Sequence, residues 1–119
     1  MLPAAHRLRD GATFRAAIRS GRRAGRRSLV VHLWTDVDAA APEGVARVGL
    51  VVSKAVGNAV VRNQVKRRLR HLAREHVSTL PGAAVLVIRA LPPAAQASTA
   101  ELRADLARCL ERTRAEVTR

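Results

Sequence analysis

Residues 57–70 hold the densest group of side chains able to do chemistry. Arg62, Lys66 and Arg70 recur four apart, Asn63 and Arg67 lie beside them, and Gly57 and Asn58 stand just upstream. Guanidinium and ammonium groups are poor proton shuttles near neutrality but strong ligands for anionic oxygens, and the planar fork of arginine matches a phosphate. Crowding them has a cost: like charges at i and i+4 each destabilise an isolated helix by roughly 0.2–0.5 kcal/mol. Glu75 is the one acid near the run, whereas a merely solvated helix face would mix signs. The pattern therefore points to a face that meets phosphates.

Groups that could cut a bond are scattered. His71 and His76 fall on different sides of the same helix, as surface or boundary residues rather than a paired acid and base. Asp36 and Asp38 read as loop solvation rather than magnesium ligation, and no close pair of acids suggests a metal site. The single Cys109 allows no internal disulfide, which agrees with a reducing compartment, and its place on an apolar stripe makes it a buried thiol rather than a nucleophile. No catalytic residue and no protein-bound metal are expected.

The whole chain repeats the message of residues 57–70. Twenty-two basic residues against nine acids give a formal charge of +13 over 119 residues, and every basic residue except Lys54 and Lys66 is arginine. Such an excess implies a polyanionic partner, nucleic acid first. Length and an apolar content of 48% suit one domain, residues 1–119. The first nine residues lack the apolar core of a signal peptide, and the longest apolar run, 83–88, is far too short to span a bilayer, so a cytoplasmic protein without membrane contact is expected.

The elements that must position these residues follow from caps, breakers and periodicity. Asp10 can cap a first helix over 10–20, with Phe14, Ala17 and Ile18 at helical spacing and Gly21 as its stop. A basic stretch, Arg22, Arg23, Arg26 and Arg27, leads into a strand at 28–36, followed by a loop at 39–44. The near-continuous apolar run 45–54 predicts a central strand. Asn58 can cap a long helix reaching about residue 77, which puts Val61, Val65, Leu69 and Leu72 on one arc and Arg62, Asn63, Lys66, Arg67, Arg70 and Arg74 on the adjoining broad arc. Pro81 and Gly82 make a turn, 83–91 a third strand, and Pro92 and Pro93 break it. Ser98 and Glu101 form a capping box before Leu102, Leu106, Cys109, Leu110 and Val117, which share one side of a last helix. The order helix, strand, strand, helix, strand, helix makes the fold α+β, an α/β sandwich with helices packed on a small sheet.

Within this frame, Arg47, Val48, Gly49, Leu50, Val51, Val52, Ser53 and Lys54, then Gly57, Asn58, Ala59 and Val60, then Arg62, Asn63, Lys66 and Arg67 follow one another in a set order. That succession of R-V-G-L-x-V-S-K, G-N-A-V and R-N-x-x-K-R resembles the signature of the bacterial ribonuclease P protein component. The motif covers about a fifth of the chain, and length, basicity and element order extend the likeness over nearly all of it. The resemblance implies a left-handed crossover joining parallel strands through the basic helix, against the usual right-handed rule.

The resemblance also implies a division of labour. Gly57, Asn58, Arg62, Asn63, Lys66, Arg67 and Arg70 would bind a catalytic RNA subunit. Phe14, Ile18, His32, Ser53 and Lys54 would line a cleft, between the first helix and a sheet face, for the single-stranded 5′ leader of precursor tRNA. Hydrolysis would belong to the RNA with Mg2+, and no obligate protein partner is implied. The chain departs from the family pattern at Gln64 (often arginine), Ala55 (often lysine), and Ile18 and His32 (often aromatic), leaving Phe14 as the main stacking surface. Two other readings compete on the residues alone. A ribosomal-type or DNA-binding protein could carry such a helix, although a regulator should pair it with a second helix across a short turn. An autonomous ribonuclease built on His32 lacks a suitably spaced acid.

Overall fold

In the computed structural model, residues 7–8, 10–35, 46–80 and 84–117 are described, with side chains as far as residue 114. The expected loop at 39–44, the Asp36 and Asp38 pair, the Pro81–Gly82 turn and the side chain of Val117 lie outside this set. Helix α1 spans Gly11–Ser20, α2 Ala59–Arg74 and α3 Thr99–Val117; strands are β1 Arg22–Gly25, β2 Leu29–Thr35, β3 Arg47–Val51 and β4 Ala84–Ala90. The sheet order is β1-β2-β4-β3, with β1 and β2 antiparallel, β2 and β4 antiparallel, and β3 parallel to β4. The fold is α+β, and β3-α2-β4 is the parallel crossover unit.

Each helix start expected from sequence is present because the bonds that make it are local. Asp10 accepts from the Ala12 amide at 3.1 Å and from the Thr13 hydroxyl at 2.6 Å. Asn58 accepts from the Val61 amide at 3.0 Å. Ser98 and Glu101 satisfy each other's amides at 3.0 and 3.2 Å, the reciprocal pattern of a capping box.

Three boundaries differ from expectation. The basic stretch after α1 is itself a strand: β1 pairs Arg22 with Leu33 and Ala24 with Val31, and the Arg26 amide closes a tight turn on the Leu29 carbonyl. Partner pairing overrides a composition, RRAG, with no β-branched residue. The second expected strand is shorter, since Lys54–Val56 curl into a 3₁₀ turn before Asn58. The basic helix stops at Arg74 and is capped by Glu75, while Val77–Thr79 form a separate 3₁₀ turn.

The sheet separates two layers. On one face Leu29, Val31, Leu33, Val48, Leu86 and Ile88 pack against Val65, Leu69 and Leu72 of α2 and Leu102, Leu106 and Leu110 of α3. On the other, Val85 and Val87 meet Leu8 and Ala17, with Phe14, Trp34 and Val51 packed around them, so that α1 covers only part of this face. Cys109 is fully buried in the larger core, and burial, followed by the nearby Asp105 charge, pushes its thiol up to about 11, the behaviour of a packing residue. Asp105 also fastens α3 to the β1–β2 turn by accepting from the Ser28 hydroxyl at 2.6 Å and the Ser28 amide at 3.2 Å.

Candidate functional site

Helix α2 packs as its periodicity requires. Val65, Leu69, Leu72 and Ala73 are buried and Val61 leans on the same core, which turns Asn63, Arg67, Arg70 and Arg74 outward and leaves Arg62 and Lys66 half-buried along the margin. Arg68, the one arginine of the helix off this ridge, lies near the Ala97 carbonyl at 3.4 Å and helps tie α2 to the start of α3. Glu75 does not neutralise the ridge: it pairs with Arg103 of α3 at 3.3 Å, and that hydrogen bond holds its carboxyl below the ordinary value. The first turn of α2 contains no acid, so the partial positive charge of the helix start adds to the side chains. Gly57 sits against Val61, and a Cβ at Gly57 would lie 2.9 Å from Val61 Cγ1.

The face of the sheet beneath α1 is organised in rows. Strand register aligns Arg23, His32, Val87 and Gly49 across all four strands, and Gly25, Val30, Arg89 and Val51 in the next row. Gly49 is there because of Phe14: a Cβ at Gly49 would fall on the Phe14 ring and also meet Leu8. The aromatic ring is thus half-buried, seated on bare backbone, with part of its surface open. Ile18 is exposed on α1, and Ser53 and Lys54 are exposed beyond the end of β3. His32 is different, being only 4% exposed; it forms floor, not wall.

Two surfaces read separately from sequence are joined in space. A groove of about 330 Å3 is lined by Arg7, Leu8, Phe14, Val48, Gly49, Leu50, Lys66 and Arg70, so the ridge of α2 runs over the edge strand β3 to the Phe14 side of the sheet. Sequence reasoning missed Arg23 and Arg89, both exposed on the α1 face. Arg89 had a readable signal as the only charge in the apolar run of β4, but its face depends on strand register.

Two histidines tie stability to pH. Burial and then the Arg23 and Arg89 charges hold the His32 imidazole below its ordinary value of 6.5; burial and then Arg114 do the same for His76. An unfolded chain takes up protons as pH falls through about 6.5 while the folded imidazoles take them up less readily, so this contribution is complete above that pH and is lost toward the lowered native values. Stability should therefore fall between pH 7.5 and 5.5, by at most about 1.4 kcal/mol per pH unit for each histidine. Urea midpoints at the two pH values check this, and a His32→Gln, His76→Gln variant should lose most of the difference. A midpoint that does not move in the parent protein would exclude the linkage.

A polycationic helix docked on a four-stranded sheet, with a partly open second face bordered by arginines, defines a small, strongly basic α+β domain. The model of the Ribonuclease P family matches residues 2–114. The chain is 75% identical to the ribonuclease P protein component of a Nocardioides species over 118 residues, 99% of each chain, and 54% identical to that of Streptomyces avermitilis over 116 residues, 94% of each. Among solved structures, the RNase P protein of Staphylococcus aureus superposes with a TM-score of 0.76 at 28% identity, covering 89% of this chain and 93% of that one. The chain belongs to the ribonuclease P protein family. Membership makes it the protein component of an endoribonuclease complex that works with an RNA subunit in tRNA processing.

Proposed function

We propose that the ridge of Gly57, Asn58, Arg62, Asn63, Lys66, Arg67 and Arg70 binds the catalytic RNA, and that the α1 face takes the 5′ leader of precursor tRNA while the RNA, with Mg2+, performs hydrolysis. The observation that carries this reading is the groove joining the two surfaces through Lys66, Arg70, Gly49 and Phe14, which lets one small protein touch catalytic RNA and substrate at once. The chemistry asked of the protein is electrostatic. Two polyanions repel at moderate ionic strength, a domain of charge +13 at their junction lowers that penalty, and concentrated magnesium does the same less specifically.

Single-turnover cleavage of precursor tRNA tests the division of labour. The cognate RNA alone should cleave at high magnesium, the protein alone should not cleave, and the protein should help most when magnesium is low. Replacing any one His, Asp or Glu of the protein should leave the chemical step within about tenfold, because none supplies acid or base. Cleavage by protein without RNA, or a thousandfold loss from one such substitution, would overturn the assignment.

Phe14 offers a narrower check. If a leader base stacks on its open surface, Phe14→Ala should weaken holoenzyme binding of leader-bearing precursor by about 1–3 kcal/mol and leave mature tRNA nearly unchanged. Equal losses for both RNAs would make the ring a packing residue only.

A further inference from the structure

The α1 face carries more charge than stacking surface. The chain has one Phe, one Trp and no Tyr. The Phe14 ring rests on Gly49, and Trp34 is half-buried in the small core. Arg23 and Arg89, by contrast, are exposed, and neither guanidinium has a hydrogen bond or ion pair among the described residues. They flank His32: Arg23 is its direct cross-strand partner on β1, and Arg89 lies on β4, two residues beyond its partner Val87 on the same face. The His32 ring is nearly sealed and its Nδ1 has no hydrogen-bond partner. Two exposed, unpaired guanidiniums flanking a nearly sealed imidazole make a local excess of positive charge that an anion would relieve.

We propose that Arg23 and Arg89 clasp one backbone phosphate of the single-stranded leader above His32, which serves as a positioning residue beneath them. This rests on the reading that the α1 face takes the leader, and it adds the chemistry of the grip: phosphate first, base second. Leader recognition in this protein then depends little on leader sequence. The same geometry makes the protonation of His32 easier on binding. The charges acting on it are Arg23 from β1 and Arg89 from β4. The overlying α1 adds only the exposed Arg15 and Arg19, while Asp10 at its start is held by Thr13 and the Ala12 amide. Burial, the larger cause that disfavours the charged ring, remains, but a phosphate between the two arginines offsets both of their charges and makes His32 easier to protonate.

The test is binding of precursor and mature tRNA by holoenzyme assembled with the parent protein, with an Arg23→Ala, Arg89→Ala double variant and with His32→Gln. Leaders carry single uncharged methylphosphonate linkages, one position at a time, or exchanged bases. The double variant should lower the preference for precursor over mature tRNA about tenfold or more, the scale of charge-assisted hydrogen bonds to phosphate. One methylphosphonate position should produce that loss with the parent protein and none with the double variant, while base exchanges change little. The preference should rise from pH 7.5 to 5.5 with the parent protein and stay level with His32→Gln. Thermal melting of the double variant should match the parent, since both side chains are exposed. Precursor preference that survives in the double variant, or indifference to every methylphosphonate, would overturn the phosphate subsite while leaving the leader reading intact. A parent holoenzyme that binds precursor and mature tRNA equally would remove both.

Discussion

Raising monovalent salt from 50 to 200 mM is expected to weaken binding of the catalytic RNA by about 100- to 500-fold. The estimate follows from roughly five neutralised phosphates, each contributing about 0.7 to 0.9 to the slope of log affinity against log salt, for a slope near −3.5 to −4.5. The slope needs no correction for local neutralisation, because the nearby acid, Glu75, is already paired with Arg103. An Arg62→Ala, Lys66→Ala, Arg70→Ala variant should flatten the slope by roughly 2 to 2.7, and it should weaken binding most at low salt. Its fold is expected to survive, because the packing stripe of Val65, Leu69 and Leu72 is untouched and three like charges leave the helix. Filter binding or fluorescence titration across salt, beside a thermal melt, measures both quantities. A slope near zero in the parent protein would remove the electrostatic account of the ridge.

Gly49→Val is expected to be the most damaging single exchange on the α1 face. Even the first added carbon would overlap the Phe14 ring and press on Leu8, so either Phe14 leaves its seat or β3 shifts. Overpacking of this kind costs about 1–3 kcal/mol. Because the same ring is the stacking surface proposed for the leader, Gly49→Val should also reduce discrimination between precursor and mature tRNA. Combining it with Phe14→Ala distinguishes the cause: removing the ring returns the space, so the double variant should be more stable than the two single losses predict when added. Strict additivity in denaturant melts would mean that Gly49 is required for some reason other than Phe14.

What could be read in the chain was whatever neighbouring residues decide among themselves. The Asp10, Asn58 and Ser98–Glu101 caps are bonds across two or three residues, and the two arcs of α2 follow from its own periodicity. β1 was hidden because RRAG forms a strand only when β2 lies beside it. The face of His32 was equally hidden: Leu29 to Leu33 are all buried, so no alternation tells which side each residue takes. Phe14, Ile18, Ser53 and Lys54 came from family likeness, and their surroundings needed the sheet. The groove uniting Lys66 with Phe14 links residues far apart in the chain and passes over Gly49, whose lack of a side chain carries no periodic signal.

The two outer strands bear on how the protein lives before its RNA arrives. An open strand edge is a template on which other chains can add, and a sheet of four strands has two such borders. One is β1, only four residues long, with exposed Arg22 and Arg23 and ending in Gly25. The other is β3, where the Arg7–Leu8 segment runs alongside: Arg7 bridges Val48 in parallel and the Leu8 amide donates to the Val48 carbonyl at 2.8 Å. One border is thus guarded by repulsion and brevity, the other by the protein's own backbone. Edge-to-edge polymerisation is disfavoured at both, so a newly made copy resists aggregation while it waits for the polyanion that will offset its charge.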